Sequence, residues 1–216
     1  MIKACIFDLD GTLTDTIESL TYSVGETLKE MGLSAITKEQ CQSFVGNGAR
    51  VLLEKSIRAA GDFGGVRIHE AMEIYGRIFD ENCTYHVTPY EGIPKLLKEL
   101  KNRGVKLAVL SNKPHPQTVK VAEEIFGRDV FDVLQGQREG IPRKPSPEGI
   151  YTILEKLGAA TEECLYVGDS EVDIATGSNA LTKTVGVTWG FRTEEELKDA
   201  GAVYLVHRPE ELLRLL

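Results

Sequence analysis

Short runs of apolar and β-branched residues recur along the chain and predict buried strands. These runs are Ile2–Phe7, Val105–Leu110, Val130–Leu134, Cys164–Val167 and Thr184–Val187. Between the later runs, Gly92–Arg103 and Pro147–Leu157 carry apolar residues at the three- and four-residue spacing of amphipathic helices. Strands that alternate with helices are typical of a parallel sheet covered on both faces, and the pattern therefore predicts an α/β fold.

The segment between the first two predicted strands follows a different pattern. From Thr16 to about Cys83, apolar residues recur at helical spacing without a convincing strand run. A crossover between parallel strands needs only one helix, so a segment of this length predicts a small inserted helical domain, which we call the cap. We expect a Rossmann-like parallel sheet core formed by residues 1–14 and 85–216, with a helical cap of residues 15–84 inserted after the first strand.

Composition and charge narrow the possible partners. The 216 residues are 42% hydrophobic and 27% charged, as in ordinary globular proteins. A formal net charge of −8 without any basic run argues against nucleic-acid binding, and no apolar segment reaches transmembrane length. We expect reduced thiols and a cytoplasmic location, because no disulfide or zinc spacing relates the four cysteines, Cys5, Cys41, Cys83 and Cys164.

Acidic side chains follow two of the predicted strands. Asp8 and Asp10 end the first strand in the segment FDLDGTLTD, and Gly11 allows a tight turn after them. Asp169 and Asp173 follow the fourth strand in GDSEVD. Turns and helix caps use such residues often, so each segment alone could be structural. Together they crowd carboxylates at one edge of the sheet, which is costly unless a cation offsets the charge.

Groups that can bind a phosphate are predicted at the same edge. Ser111 and Asn112 end the second strand and could donate to phosphate oxygens, although either could merely cap a helix. Lys144, in the segment RKPSPE, could neutralise a phosphoryl group. The side-chain oxygens of Asp8, Asp10, Ser111 and Asp169 are of the type that suits Mg²⁺, which also takes substrate phosphate oxygens as ligands. The sequence therefore predicts a magnesium-assisted phosphate site in an otherwise acidic protein.

With these residues in hand, the chain resembles the haloacid dehalogenase-like superfamily. It is most similar to the phosphoglycolate phosphatase branch, which carries a helical cap after the first strand. The motifs that carry the resemblance appear in the family's order along most of the chain: DLDGT from Asp8, SN at Ser111, Lys144 within KPSP, and GDSEVD with Asp169 and Asp173.

The resemblance implies catalytic and metal-binding roles for the acidic residues. Asp8 would attack phosphorus and carry the phosphoryl group as an aspartyl-phosphate. Asp10 would protonate the leaving alcohol and then activate the hydrolytic water. Asp8, the backbone carbonyl of Asp10, and Asp169 would hold Mg²⁺. Because dehalogenation needs neither a general acid nor a metal, Asp10 with Asp169 favours a phosphatase.

The resemblance also implies a phosphate-binding set. Thr12, Ser111, Asn112 and Lys144 would contact the transferring phosphoryl group. Asp173 would support Lys144 or the surroundings of the metal.

A glycine-rich loop in the cap is a candidate for contact with the leaving group. It lies in the segment FVGNGARVLL and resembles loops that close over the site in the phosphoglycolate phosphatase branch. We expect Asn47, Gly48 and Arg50 to meet the substrate, with Arg50 pairing with a carboxylate. The alternative is an ordinary helix–helix turn with a solvated arginine. We assign Trp189, Gly190 and Phe191 to packing and to shaping the site.

The sequence thus predicts a hydrolase that acts on a small phosphate monoester, with 2-phosphoglycolate as the leading substrate and Mg²⁺ as cofactor. A pyrophosphatase and a broad-specificity sugar-phosphate phosphatase are the alternatives within the enzyme class. A receiver-like regulator that is phosphorylated slowly on aspartate is the alternative from another class. We expect a monomer or homodimer.

Overall fold

The computed structural model describes residues 1–64 and 66–216. Its strands are β1 Ala4–Phe7, β2 Thr14–Asp15, β3 Thr88–Pro89, β4 Lys106–Pro114, β5 Val133–Gln137, β6 Cys164–Gly168, β7 Lys183–Val187 and β8 Tyr204–Val206. Its α-helices are α1 Ile17–Glu30, α2 Lys38–Phe44, α3 Gly48–Ala59, α4 Ile68–Asn82, α5 Ile93–Asn102, α6 His115–Phe126, α7 Glu148–Leu157, α8 Glu171–Asn179 and α9 Glu194–Asp199.

A six-stranded parallel sheet forms the core, in the order β5-β4-β1-β6-β7-β8. Side chains alternate across β1: Cys5 and Phe7 belong to one apolar cluster, and Ala4 and Ile6 belong to a second. Helix α5 packs into the first cluster and α7 into the second. The sheet is therefore covered on both faces, which confirms the predicted α/β class.

Helices α1 to α4 form the inserted cap. Their buried apolar residues, to which α1 contributes Leu20, Val24 and Leu28 and α4 contributes Tyr75 and Phe79, are continuous with the first apolar cluster of the core. The two chain passages between core and cap pair as a short antiparallel ribbon, with Thr14 opposite Pro89 and Asp15 opposite Thr88. The sequence shows these passages only as linkers, because strands of two residues are too short to carry a period.

The strands differ from the sequence prediction most clearly in three places, besides shifts of one or two residues at the ends of β1, β4, β6 and β7. Strand β5 begins at Val133, three residues later than predicted, while Val130 lies in the preceding turn. Strand β4 continues beyond Leu110 to Pro114 through a register shift against β5. Strand β8 is a short, partly exposed edge strand that the apolar pattern does not mark. The extension of β4 is buried but polar, and β5 and β8 are only partly buried, so hydrophobicity is a weak guide in all three places.

None of the helices in residues 1–64 and 66–216 has the length and apolar character that crossing a membrane requires.

Candidate active site

The three central strands bring the predicted site residues to one edge of the sheet. Parallel pairing sets Phe7 at the end of β1 beside Val109 of β4 and Val167 of β6. Asp8 follows directly, and its backbone N–H donates to the carbonyl of Val167 over 2.9 Å. The segments that leave these strands are therefore neighbours, although the one after β1 is more than 100 residues from the other two in the chain.

Lys144 is a buried cation held between two carboxylates. Its Nζ lies 2.9 Å from Oδ1 of Asp8 and 2.8 Å from Oδ1 of Asp173. Asp173 also accepts a 2.8 Å hydrogen bond from the hydroxyl of Tyr166. Burial alone would lower the pKa of Lys144, but Asp173 and Asp8 together raise it above its usual range. Lys144 therefore keeps its charge next to Asp8.

Asp169 lies in a close-fitting cradle. Its Oδ1 accepts a 3.0 Å hydrogen bond from the Thr12 hydroxyl, and its Oδ2 accepts a 2.8 Å bond from the Phe191 N–H. A Cβ added at Gly11 would lie 2.2 Å from Asp169 Oδ2, and one added at Gly190 would lie 2.5 Å from the same atom. Only glycine fits at these two positions, so the backbone itself holds the carboxylate.

The residues present fit a divalent cation. Asp8, Asp169 and Asp173 are buried, and they offer carboxylate oxygens that all lie within 4.8 Å of one another. Burial is the main cause that raises the pKa of Asp8 to about 7 and that of Asp169 to about 8, and Asp173 adds to both shifts. Lys144 compensates Asp8 and Asp173, whereas Asp169 receives only neutral donors from the described residues. Mg²⁺ next to Asp8 and Asp169 would offset the remaining charge.

Asp10 pairs with a different cation. Nζ of Lys113 lies 2.9 Å from Oδ1 and 3.2 Å from Oδ2 of Asp10, and both side chains are largely buried. The same Nζ lies 4.7 Å from the centre of the Phe79 ring, within the range of a cation–π contact. Asp8 and Asp10 therefore have separate lysine partners, although they are only two residues apart.

The residues predicted to bind the phosphate differ in what their side chains contact. Ser111 lines the cavity, and its Oγ accepts a 3.2 Å bond from the N–H of Lys113, which leaves the hydroxyl proton to be donated. Asn112 binds the backbone of Lys144 through both ends of its amide and donates to the carbonyl of Gly46 over 3.0 Å. In this structure Asn112, like Thr12, positions other residues of the site.

A small cavity of about 50 Å³ opens onto these side chains. The core contributes Asp8, Asp10, Ser111 and Asp169 to its lining. The cap contributes mainly apolar side chains, namely Leu20, Val45, Ala49, Leu52, Tyr75 and Phe79. This volume has room for a few water molecules or a small polar group, so the cap restricts the size of what can bind here.

The glycine-rich cap loop lies over the site, but its polar residues do not line the cavity. Gly46 and Gly48 are among the lining residues, and a Cβ added at Gly48 would lie 3.3 Å from the carbonyl oxygen of Asn112. The half-buried Asn47 precedes α3 and makes no side-chain capping bond. Arg50 is exposed and pairs with Glu54 over 2.9 Å on the same helix. The predicted contact of Arg50 with a substrate carboxylate remains to be tested.

Arg192 joins the cap to the core. Its guanidinium donates to the carbonyls of Val45 over 2.8 Å and Gln42 over 3.3 Å, at the carboxyl end of α2, and pairs with Glu171 over 2.9 Å. Gln42 returns a 3.2 Å hydrogen bond to the carbonyl of Phe191. The loop after β7 was expected to pack and shape the site through its aromatic residues, and the structure shows that it also binds the cap through Arg192.

Sequence analysis gave no role to Lys113 or Arg192. Lys113 is the third residue of the SNK segment whose first two residues were singled out, and Arg192 directly follows the Trp189–Phe191 segment. The sequence signal for a role in the site was that each residue lies directly beside a motif residue. Lysines and arginines in loops are usually solvated, so composition alone could not separate these two from the rest.

Comparisons with known proteins find relatives over the full length of the chain. Residues 5–187 match the family model of haloacid dehalogenase-like hydrolases. Over 216 residues, the chain is 33% identical to the phosphoglycolate phosphatase of Aquifex aeolicus, covering 100% of this chain and 97% of that protein. It is 30% identical to the phosphoglycolate phosphatase of Pectobacterium atrosepticum, covering 100% and 92%. A crystal structure described as a predicted phosphoglycolate phosphatase from Haemophilus somnus superimposes with a TM-score of 0.91 at 25% identity, covering 99% and 97%.

Proposed function

Because this chain belongs to the haloacid dehalogenase-like hydrolases and is a phosphoric monoester hydrolase, we propose that it uses Mg²⁺ and a phosphorylated Asp8 to hydrolyse 2-phosphoglycolate. The observation that carries the mechanism is the separation of Asp8 and Asp10 onto different lysines beside one cavity. Two neighbouring carboxylates with different surroundings can take different chemical roles. The names of the relatives support the choice of substrate.

Asp8 is the proposed nucleophile. It is buried at the end of β1, and Lys144 holds one of its oxygens and stays charged beside the phosphoryl group. Ser111 has a hydroxyl proton free to donate to a phosphoryl oxygen. Mg²⁺, when bound to Asp8, Asp169 and the backbone carbonyl of Asp10, supplies charge neutralisation for the transferring group. Asp173 positions Lys144, and Thr12 and Asn112 position Asp169 and the Lys144 loop.

Asp10 is the proposed general acid and base. Its carboxyl group lines the cavity on the side where the cap contributes Tyr75 and Phe79. From there it would protonate the leaving oxygen and then take a proton from the water that hydrolyses the aspartyl-phosphate. The apolar cap residues exclude bulk water from this step. The small cavity favours a compact leaving group over a sugar, and the names of the relatives favour 2-phosphoglycolate over pyrophosphate.

Phosphate release in the presence of Mg²⁺ tests the proposal. We expect 2-phosphoglycolate to exceed sugar phosphates, nucleotides and pyrophosphate in kcat/KM, and removal of Mg²⁺ to abolish release. With p-nitrophenyl phosphate, whose leaving group needs no acid, Asp10→Asn should still phosphorylate Asp8, and the phospho-enzyme should then accumulate. A long-lived phospho-enzyme in the wild-type protein would instead support the receiver-like alternative.

A further inference from the structure

Lys113 is a buried cation that the proposed chemistry has not used. Its side chain is 2% exposed, and both oxygens of Asp10 lie within hydrogen-bonding distance of its Nζ. It occupies the end of β4, where its carbonyl accepts a 3.1 Å bond from the Thr118 hydroxyl. A Cβ added at Gly136 of the neighbouring strand would lie 2.7 Å from that carbonyl oxygen. The backbone that carries Lys113 is therefore held rigidly by its neighbours.

The cap covers Lys113 with a neutral surface. The Phe79 ring lies 4.7 Å from Nζ, and Tyr75 and Leu20 line the same cavity. An aromatic face stabilises an ammonium group without neutralising it. Among the described residues, Asp10 is the only carboxylate paired with Lys113.

The other cations near the cavity have other partners or are exposed: the exposed Arg143 comes within 3.8 Å of a Cβ added at Gly48 but is not among the residues that line the cavity. Lys144 lies between Asp8 and Asp173, and Arg192 is bound to cap carbonyls and Glu171. Arg50 is exposed and paired with Glu54. Lys113 is thus the buried cation of this group whose single carboxylate partner is the proposed general acid.

We propose that Lys113 selects phosphate esters whose leaving group carries a carboxylate, an inference that rests on the function proposed above. A substrate that engages Asp10 competes with Lys113 for the oxygens of that carboxyl group. A buried ammonium that loses hydrogen bonds is destabilised unless another anion replaces them. A carboxylate on the leaving group replaces them within the cavity, whereas an uncharged leaving group leaves Lys113 without a full set of partners.

Turnover of two matched esters tests this selection. 2-Phosphoglycolate and ethyl phosphate both have a two-carbon leaving group, and only the former carries a carboxylate. In the wild-type enzyme we expect kcat/KM to favour 2-phosphoglycolate by about 10- to 100-fold, as for one charge-assisted contact. In Lys113→Met, which keeps the length and apolar stem of the side chain, this ratio should approach one. Lys113→Arg should recover part of it.

Binding of unreactive analogues separates selection from the positioning of Asp10. 3-Phosphonopropionate replaces the ester oxygen of 2-phosphoglycolate with a methylene group, and propylphosphonate is the counterpart that lacks the carboxylate. Inhibition constants should favour the carboxylated analogue in the wild-type enzyme and lose that preference in Lys113→Met. Lys95→Met, which removes an exposed lysine of α5, should keep the preference.

The outcomes distinguish the two proposals. If the wild-type enzyme hydrolyses neither ester, the proposed function is wrong. If it hydrolyses both esters equally well, or if folded Lys113→Met keeps the wild-type preference for both carboxylated compounds, Lys113 only positions Asp10 and the selection is refuted. If Lys113→Met does not fold, equal inhibition of the wild-type enzyme by the two phosphonates still overturns the proposal.

Discussion

The carboxyl edge of the core sheet and the cap contribute different chemistry to the same cavity. The core edge supplies ionisable groups. Its buried lysines are paired with carboxylates, Lys144 with Asp173 and Lys113 with Asp10. The cap supplies apolar side chains and backbone carbonyls, and its exposed Arg50 points to a partner on its own helix.

This difference teaches how reactivity and access are divided between the two regions. A charged group needs a rigid surrounding if it is to stay buried, and the strand ends of a parallel sheet provide one. Hydrogen bonds from Asn112, Gln42 and Arg192 join the cap to the core beside the site, and Gln117 and Lys120 of α6 bind Asp80 of α4, so opening of the cap would require these bonds to break. We therefore expect substitutions at the core edge to affect chemistry and stability, and substitutions in the cap to affect entry and fit.

The largest effect is expected at the nucleophile. Asp8→Asn keeps the size of the side chain but removes its nucleophilic character, so kcat should fall by at least about 10³-fold. Phosphate release and detection of the phosphorylated protein by mass spectrometry measure this. Retention of wild-type turnover in the purified variant would show that the core edge does not react through Asp8.

A large loss of stability is expected at Asp173. Asp173→Asn leaves Lys144 with one carboxylate partner, and the free energy of unfolding should fall by about 3–5 kcal/mol because a buried ion pair is broken. Urea unfolding measures the change. Tyr166→Phe removes one neutral donor to the same carboxylate and should cost only about 1 kcal/mol. Asp199→Asn, at an exposed position, is the control. An equal loss of stability there would show that the buried ion pair at the core edge is not the cause.

The metal-free protein should lose stability as the pH rises. Burial raises the pKa of Asp8 to about 7 and that of Asp169 to about 8, from the ordinary aspartate value of 3.8. The folded state therefore holds more protons than the unfolded chain between these values. Stability is greatest at the acidic end of this window and falls by up to about 1.4 kcal/mol per pH unit for each carboxyl.

Urea unfolding in a chelator from pH 5.5 to 8.5 measures this slope. Saturating Mg²⁺ should remove most of it, because the cation stabilises the charged carboxylates. Asp169→Asn should reduce the slope without a cation. A flat profile in the metal-free wild-type protein would mean that these carboxyls are already charged.

A smaller effect is expected where the cap meets the core. Arg192→Met removes the bonds to the carbonyls of Val45 and Gln42, so the closed position should be less populated and KM should rise by about tenfold. Hydrogen exchange of residues 42–48 should increase in parallel. The matched control is Arg208→Met, which removes an exposed arginine. Unchanged exchange in Arg192→Met would show that other contacts hold the cap closed.

The smallest effect is expected at Arg50. Its pairing with Glu54 on the surface of α3 leads us to expect that Arg50→Ala changes kcat/KM for 2-phosphoglycolate by less than about twofold. A drop of tenfold or more would instead support the sequence-based prediction that Arg50 binds the substrate carboxylate, and it would assign part of the charge recognition to the cap.

Much of the fold was predictable because its signals are local. The apolar runs of β1, β4, β6 and β7 are buried on both faces and therefore stand out from the helices between them. The edge strand β8 and the two-residue strands β2 and β3 lack such a run and were not predicted. The acids of the site were predictable because Asp8 and Asp169 directly follow buried strands.

The sequence by itself determined the order of strands and helices, the inserted cap, and which strand ends carry carboxylates. Only the tertiary structure decided that Lys144 meets Asp8 while Lys113 meets Asp10, and that Arg192 binds the cap. Ion pairs of this kind join residues far apart in the chain, and the energy of each depends on how deeply packing buries both partners. No periodicity or composition encodes that burial, because it arises only when the cap and the core close around one cavity.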